Sequence, residues 1–535
     1  MTVTITKNLT IKSLILGLIA VFAMLTASAA QAQVTAFKQA VAEAASADDG
    51  IAAFYRARNF EPIWVGKSDT SRRKALLAAL QKAPEHALPM NRYDPAVIRA
   101  NFKNAKSARD RGLIEVQTTR QFLRYAHDIQ SGILTPSSVN SLIARKAPRR
   151  GDQDLLEALM KSNPSRFMKS LVPSSPEYTA LLKAKRSLER AIGSTGWGPT
   201  VRAKSLKPGQ SGAEVVALRN RMIRMGYLRK SASQKYDTNL TKAIQLFQQD
   251  NGLVPDGVSG ADTIKVVNVS ANTRLQQVIV AMERRRWLNI DLGKRHVFVN
   301  LADFRASIIN NGKVEFSTRA VVGKNISDRR TPEFSDVMTH MIINPTWHVP
   351  RSIAVKEYLP MLKKNPGAVS HLRMVDASGR TVSRANVDFT AYTTKSFPFN
   401  LKQPPSNGNA LGRVKFMFPN KHNIYLHDTP AKSLFARNVR AYSHGCIRLA
   451  DPFDFAYALL SKEMSNGKDY FQRTLKTKVE TQYTLKSSLK VHIDYRTAWV
   501  PAKGRVNYRR DIYGRDALIF KALAKAGVVL RAVQS

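Results

Sequence analysis

From residue 34 to about 194 the apolar residues fall three and four positions apart, most plainly through 118–131 and 176–192. That spacing lines one face of an α-helix, so the stretch reads as a run of amphipathic helices. Pro148 and the segment Pro173-Ser174-Ser175-Pro176 punctuate it. A smaller helical unit follows over 206–267, with Val216, Leu218 and Met222, then Ile244 and Phe247, at its core positions. Gly226 and Gly252 suit left-handed helix ends, and Asp256-Gly257 suits a turn. From about His296 the texture becomes that of strands: Val297-Phe298-Val299-Asn300-Leu301, then Arg305-Ala306-Ser307-Ile308-Ile309. Asn311-Gly312 fits a type I′ hairpin tip, which needs two residues that accept positive φ, and 313–322 makes the return strand. Residues 338–343 and 413–418 continue the pattern. Many short strands with little helix predict an antiparallel sandwich or barrel.

About 58 residues between Pro350 and Asn409 interrupt this β-rich region. They hold a predicted helix over 353–364, a turn at Asp376-Ala377-Ser378-Gly379, and loops at Phe397-Pro398-Phe399 and Gln403-Pro404-Pro405. A long insertion between paired strands has the character of a lid. Beyond it, 451–460 reads as a helix, 491–495 as a strand, and 515–526 as a terminal helix stopped by Gly527.

The first 32 residues have the form of an export signal. Lys7 and Lys12 lead an apolar run over 14–27, and Ala30-Gln31-Ala32 puts small residues where a signal peptidase cuts, so the mature chain starts at about Gln33. The run is short of the roughly 20 residues a membrane-spanning helix needs, and no later apolar run matches it, so no membrane span is expected after cleavage. A periplasmic location follows. Removing Lys7 and Lys12 from the formal charge of +45 leaves +43. Such a charge calls for polyanionic surroundings. Export argues against nucleic acid and for anionic envelope polymers. The clusters Arg145-Lys146-Ala147-Pro148-Arg149-Arg150 and Arg284-Arg285-Arg286 read as solvated faces.

Cys446 is the chain's one cysteine, in Ser443-His444-Gly445-Cys446-Ile447-Arg448, and His427 lies 19 residues upstream after Ile424-Tyr425-Leu426. An idle thiol is a liability in an oxidising compartment, so a retained one points to use. Its imidazole and guanidinium neighbours favour the anion. Cys446 is therefore the candidate nucleophile and His427 its base, the tautomer fixed by the Asp428 carbonyl or by its side chain. The main-chain N–H groups of Gly445 and Cys446, with His444, are candidates for an oxyanion hole, and Arg448 for holding the loop or a substrate carboxylate. His444 stays open between a structural or oxyanion role and that of base. Tyr425 shares a strand face with His427 and is a substrate-contact candidate. No paired-cysteine or His-x-x-x-His pattern suggests a metal, and no Gly-rich phosphate loop suggests a nucleotide, so no cofactor is expected.

This pattern resembles the signature of the YkuD-type L,D-transpeptidases: a His, a spacer, then Ser/Thr-His-Gly-Cys-x-Arg. Asn344-Pro345-Thr346-Trp347-His348-Val349-Pro350, Asn409-Ala410-Leu411-Gly412, Lys415-Phe416-Met417-Phe418-Pro419-Asn420 and Tyr425-Leu426-His427-Asp428-Thr429-Pro430 look like the large periplasmic branch of that family. Residues 206–268 resemble a small three-helix peptidoglycan-binding domain. The resemblance implies an α+β multidomain chain: signal peptide 1–32, helical scaffold domain 33–200, peptidoglycan-binding domain 206–268, and a mainly antiparallel β-sandwich or barrel catalytic domain over 281–470. It adds a helical capping lid at 351–403 and a C-terminal strand and helix over 471–535. It also puts Tyr425, Ser443, Trp347 and Asn420 beside the substrate. The implied reaction is attack of Cys446 on the position-three carbonyl of a tetrapeptide stem, release of D-alanine, and transfer of the acyl group to an amine to make a 3–3 cross-link. The implied partners are peptidoglycan stem peptides and glycan, with an envelope protein as an alternative acceptor. The implied inhibitors are carbapenems. Other readings are an L,D-carboxypeptidase, a protein-anchoring transpeptidase and a non-enzymatic peptidoglycan-binding protein. A cysteine peptidase fits less well, because its Cys ordinarily precedes its His.

Overall fold

The computed structural model describes residues 35–501 and 504–530; the expected signal peptide lies outside them. The chain forms two units. The first comprises the residues up to Pro84, Met90–Ile129 and Arg149–Val172. It is helical, as the three-and-four spacing requires, and includes Asp49–Ala57, Thr70–Gln81 and Asp152–Met160. Its buried Glu115 carboxylate accepts from the Tyr55 hydroxyl at 2.6 Å and from the main-chain N–H of Ile63 at 2.7 Å.

The second unit comprises Glu85–Pro89, Gln130–Pro148 and Pro173–Ser535. The expected scaffold over 33–200 is thus divided, with helix Pro176–Gly193 belonging to the second unit. Charge explains this. Glu177 on that helix pairs with Arg285 and Arg496, and Tyr178 accepts from Arg286 at 3.0 Å. An apolar period carries no trace of such pairs. Arg284, Arg285 and Arg286, expected in solvent, are all buried on helix Ala271–Trp287, and Arg145 is buried too, bonded to Ser335 and the Ile493 carbonyl.

Helices Ala213–Arg224, Thr238–Asp250 and Ala261–Val267 enclose a core of Val215, Leu218, Met222, Ile244 and Phe247. Val215 takes the buried place expected of Val216.

The largest sheet has nine strands. Its strands are β1 Arg295–Asn300, β2 Arg305–Asn310, β3 Lys313–Gly323 and β4 Phe334–Ile343. Three strands, β5 Trp347–His348, β6 Arg373–Val375 and β7 Asn400–Gln403, make a separate small sheet in the insertion. The main sheet resumes with β8 Val414–Met417, β9 Leu426–His427, β10 Ala441–Ser443, β11 Ile447–Leu449 and β12 Thr481–Asp494. The order is β10-β3-β11-β9-β8-β4-β12-β1-β2, and β2 pairs back to β3, closing a barrel. Most pairings are antiparallel, but β1–β12, β9–β11 and β3–β10 are parallel. At the hairpin tip Asn311 and Gly312 take φ of 49° and 75°, as a type I′ turn demands. Alternate residues point inward: Val297, Val299, Ala306, Ile308, Met341, Phe416, Leu426, Ile447 and Leu449 fill the barrel. Each such large side chain contributes about 1.5–3 kcal/mol on burial. The expected catalytic boundary at 470 falls short, because β12 lies between β4 and β1 within the barrel.

The insertion is not purely helical. Residues Arg351–Ile353, Ala354–Tyr358 and Leu359–Lys364 form one helical stretch with a π-turn at its middle. The small sheet lies beside it, and the two share a core of Trp347, Leu359, Leu362, Met374, Phe397 and Leu401. A four-residue strand such as β7 is too short for its alternation to stand out from loop sequence. No helix among the described residues is long and apolar enough to cross a membrane.

Candidate active site

Strand register assembles the site. β9 and β11 run parallel, with Ile447 opposite Leu426 and Arg448 opposite His427. Leu426, Ile447 and Leu449 face the core, so period two turns His427 and Arg448 outward, and with them Tyr425 and Cys446 one step before. The Ile447 N–H donates to the Tyr425 carbonyl at 3.1 Å and seats Cys446 beside Tyr425. On the other side of β9, Lys415 of β8 stands opposite His427 and joins the same outer face. β9 stops after His427 as the chain turns through Asp428-Thr429-Pro430, where Pro430 has no N–H for a ladder.

His427 is buried, and its Nδ1–H donates to the Asp428 carbonyl at 2.5 Å. The Asp428 carboxylate is occupied elsewhere: Oδ1 accepts from the Thr429 N–H and Lys432 Nζ, both at 2.7 Å, and Oδ2 from the Arg413 N–H at 2.9 Å. The main-chain carbonyl, not the side chain, therefore sets the tautomer and leaves Nε2 as the basic nitrogen. Burial, then the Arg448 charge, pushes the imidazole down to about 3 against the pull of the Asp428 and Leu411 carbonyls. Cys446 is half-buried, and its Sγ–H points to the Asn423 carbonyl at 3.5 Å. Burial pushes its thiol up to about 11, opposed by hydrogen bonding from Tyr425 and by the Arg448 and Lys415 charges. Free thiol and neutral imidazole, rather than an ion pair, are thus the resting forms at neutral pH. Desolvation thus opposes the thiolate that the motif's imidazole and guanidinium neighbours favour.

Gly445 has φ of +121°, a conformation L side chains rarely adopt. Its N–H, expected to face an oxyanion, donates to Ser443 Oγ at 3.2 Å. Its carbonyl accepts from Thr331 Oγ at 2.7 Å, while Thr331 Oγ accepts from the Gly323 N–H at 2.9 Å. Ser443 is buried, and its hydroxyl also donates to the Cys446 carbonyl at 2.5 Å. It clasps the loop and does not face a ligand. Among the described residues the Cys446 N–H meets no acceptor within the protein, which leaves it as the main-chain donor available beside Sγ. Asn420 likewise turns inward: Nδ2 donates to the Phe418 and Ile424 carbonyls at 2.6 and 2.8 Å, and Oδ1 accepts from the His422 N–H at 3.0 Å. It shapes the loop that carries Asn423.

His444 points to the insertion, where its Nε2 meets Glu357 Oε1 at 2.7 Å. The same oxygen accepts from Arg329 Nη2 at 2.7 Å, and Lys356 pairs with Asp328 at 3.0 Å. Trp347 is buried in the insertion core with Tyr358 edge-on at 6.3 Å. Both line a cavity of about 550 Å³ that Arg448 and Thr429 border from the barrel side. Arg448 Nε is buried without a hydrogen-bond partner, and burial lowers its pKa. The cavity therefore offers aromatic and polar walls, with His371, Gln403 and Ser406 among them, and one guanidinium. Residues the sequence reading missed are Lys415, Thr331, Arg329 and Glu357. Lys415 had a signal, since the inward Phe416 turns it outward; the other three lie far along the chain from the motif.

Three stretches of the chain match known protein families. Residues 294–480 match the family described as "L,D-transpeptidase catalytic domain" (YkuD), 211–267 the "Putative peptidoglycan binding domain", and 49–184 the "Scaffold domain". A curated protein of Haemophilus influenzae named "Putative L,D-transpeptidase" is 31% identical over 242 residues, which is 45% of this chain and 48% of that protein. The chain thus spans about half the length of the curated relative it matches. A solved L,D-transpeptidase of Xylanimonas cellulosilytica is 13% identical, covering 56% of this chain and 100% of that one, with a TM-score of 0.17. A fused Zn-dependent amidase/peptidase/peptidoglycan-binding protein of Clostridium acetobutylicum is 14% identical, covering 55% and 100%, with a TM-score of 0.15. Residues 294–480 are thus similar in sequence to the YkuD-type L,D-transpeptidase catalytic domain.

Proposed function

We propose that the chain is an exported peptidoglycan L,D-transpeptidase that works through a Cys446 thioester. The observation that carries this reading is the β9–β11 register, with Cys446, Tyr425, His427 and Arg448 on one outer face. As Sγ attacks the position-three carbonyl of a tetrapeptide stem, His427 Nε2 takes the thiol proton. The Cys446 N–H, with the half-exposed His444 near it, stabilises the oxyanion. The tetrahedral intermediate collapses, the amide bond breaks, and His427 gives its proton to the departing D-alanine amine. An acceptor amine then attacks the thioester, His427 removes a proton from it, and Sγ leaves to be reprotonated. The product is an amide between two position-three residues, a 3–3 cross-link. Arg448 holds a stem carboxylate in the cavity, and Tyr425 and Trp347 border the donor stem.

The insertion favours amine over water. Its core packs against Tyr425, and Glu357 ties it to the motif through His444, which suits a cap that keeps the thioester dry. Hydrolysis to a tripeptide, as in an L,D-carboxypeptidase, is then the minor outcome, and a protein amine is an alternative acceptor. Incubation of the chain with a carbapenem tests the nucleophile. One adduct mass mapping to the Cys446 peptide is expected, and unmodified protein after prolonged excess drug contradicts the reading.

A further inference from the structure

The three arginines of helix Ala271–Trp287 are not equivalent. Arg284 bonds Glu333 at 2.6 Å and Asp516 at 3.0 Å, and Arg286 bonds Glu283 at 2.9 Å. Arg285 is 9% exposed, yet neither its Nε nor its Nη1 has a hydrogen-bond partner, and its charge contact is Glu177 at 3.4 Å. Glu177 is shared: Arg496 Nη1 donates to it at 3.0 Å, while Arg496 Nε takes Asp494 at 2.8 Å and Arg496 Nη2 is left without a partner. Arg145 and Arg284 also act on Asp494, so the carboxylates next to Arg285 and Arg496 are shared among several guanidiniums. A buried guanidinium short of acceptors costs free energy that a bound anion recovers.

Arg285 and Arg496 line a groove of about 1580 Å³. That exceeds the roughly 300–1,000 Å³ of a small-molecule site and suits an extended polymer. Trp197 and Tyr227 line the same groove, and Arg496 lies over Phe298, 4.1 Å from the ring centre. Arg305 stands on its barrel wall with about half its side chain exposed (49%). The groove runs over the outer faces of β1 and β2. In the closed strand order β1 is three strands from β11, whose approach carries Cys446, and neither Cys446, His427 nor Arg448 lines the groove.

We propose that this groove is a second wall-polymer site, in which a stem-peptide carboxylate of another glycan strand sits on Arg285 and Arg496 and the strand's sugars lie against Trp197 and Tyr227. Planar guanidinium forks match carboxylates, and aromatic faces suit the apolar faces of sugar rings. The inference rests on the wall-polymer reading above and deepens it. The test is fluorescence anisotropy of the full chain, carrying Cys446→Ala to prevent turnover, with an end-labelled glycan fragment bearing tetrapeptide stems. Arg285→Gln should weaken binding about tenfold, and Arg305→Glu, at an exposed position that spares folding, about threefold. Stem-free glycan and poly-glutamate should bind at least tenfold more weakly than the stem-bearing fragment. Equal affinity of folded Arg285→Gln and its parent, or equal binding of either control polymer, overturns the proposal. Carbapenem acylation of Cys446, measured in Arg285→Gln with the thiol intact, should proceed at the parent rate. Failure of acylation in both chains would sink the transpeptidase reading, whereas loss of the groove effect alone sinks only the second site.

Discussion

With the Cys446 thiol near 11 and the His427 imidazole near 3, the resting pair is neutral at pH 7, and the proton moves only as the substrate carbonyl is attacked. Alkylation by iodoacetamide follows the thiolate fraction, so its rate should climb about tenfold per pH unit between pH 7 and 9 without levelling. A plateau near neutrality would reveal a standing thiolate–imidazolium pair and overturn this assignment. Thr331 is the second residue whose removal should tell. Its hydroxyl joins the Gly445 carbonyl to the Gly323 N–H in a buried setting. Thr331→Val should lower stability by about 1–3 kcal/mol in urea unfolding and slow acylation, and Thr331→Ser should restore most of both. A full-rate Thr331→Val would show that the loop holds itself.

At the scale of elements, the insertion is the part whose role is easiest to separate from folding. It has its own core, and its tie to the motif loop is the half-exposed hydrogen bond between His444 and Glu357, of a kind worth about 1 kcal/mol, or about fivefold in lid closure. Glu357→Gln should leave reaction with a small acylating drug within about twofold and lower the ratio of cross-linked dimer to tripeptide several-fold. An unchanged ratio would make the insertion ornament rather than lid. Period two was enough to expect β1, β2, β3 and the hairpin at Asn311-Gly312. Strand closure was not legible, because the β12–β1 and β11–β3 pairings depend on partners far along the chain. Nor was the insertion's sheet, whose strands are two to four residues long. Of the site, the pairing of Cys446 with His427 was expected from one signature spread over 427–448, and the β9–β11 register brings their strands side by side. Ser443 and Asn420 were misplaced because a polar side chain in a motif loop reads the same whether it turns outward or into the loop.

For the molecule as a whole, buried arginines and neutral histidines shape stability against pH. His427 and His492 are held below the ordinary histidine value, to about 3 and about 4, burial being the first cause of each. Below pH 6.5 the unfolded chain binds a proton at each that the folded chain refuses, so stability falls with pH at about 1.4 kcal/mol per unit for each group until the folded value is reached. Asp516, raised to about 6 by burial, works in the opposite sense between its folded value and the ordinary carboxylate range. His427→Asn removes one of the two histidine contributions. Between pH 6.5 and 5 it should lose about 2 kcal/mol less than the parent chain in urea unfolding, and equal losses would show His427 to be protonated in the fold. The net charge of +45 was legible as a whole, but the division between solvated and buried arginines was not, since burial here follows acidic partners such as Glu177, Glu333 and Asp516 rather than apolar spacing. The central claim is that one thiol on the outer face of β11's approach carries an acyl group from stem to amine. Its direct measurement is the mass analysis of products after incubating the chain with purified tetrapeptide muropeptides, alongside Cys446→Ala. The account predicts a tripeptide thioester on Cys446 and a dimer formed with loss of D-alanine, both absent from the variant. The same dimer from Cys446→Ala, or no adduct on Cys446 while dimer accumulates, would contradict it.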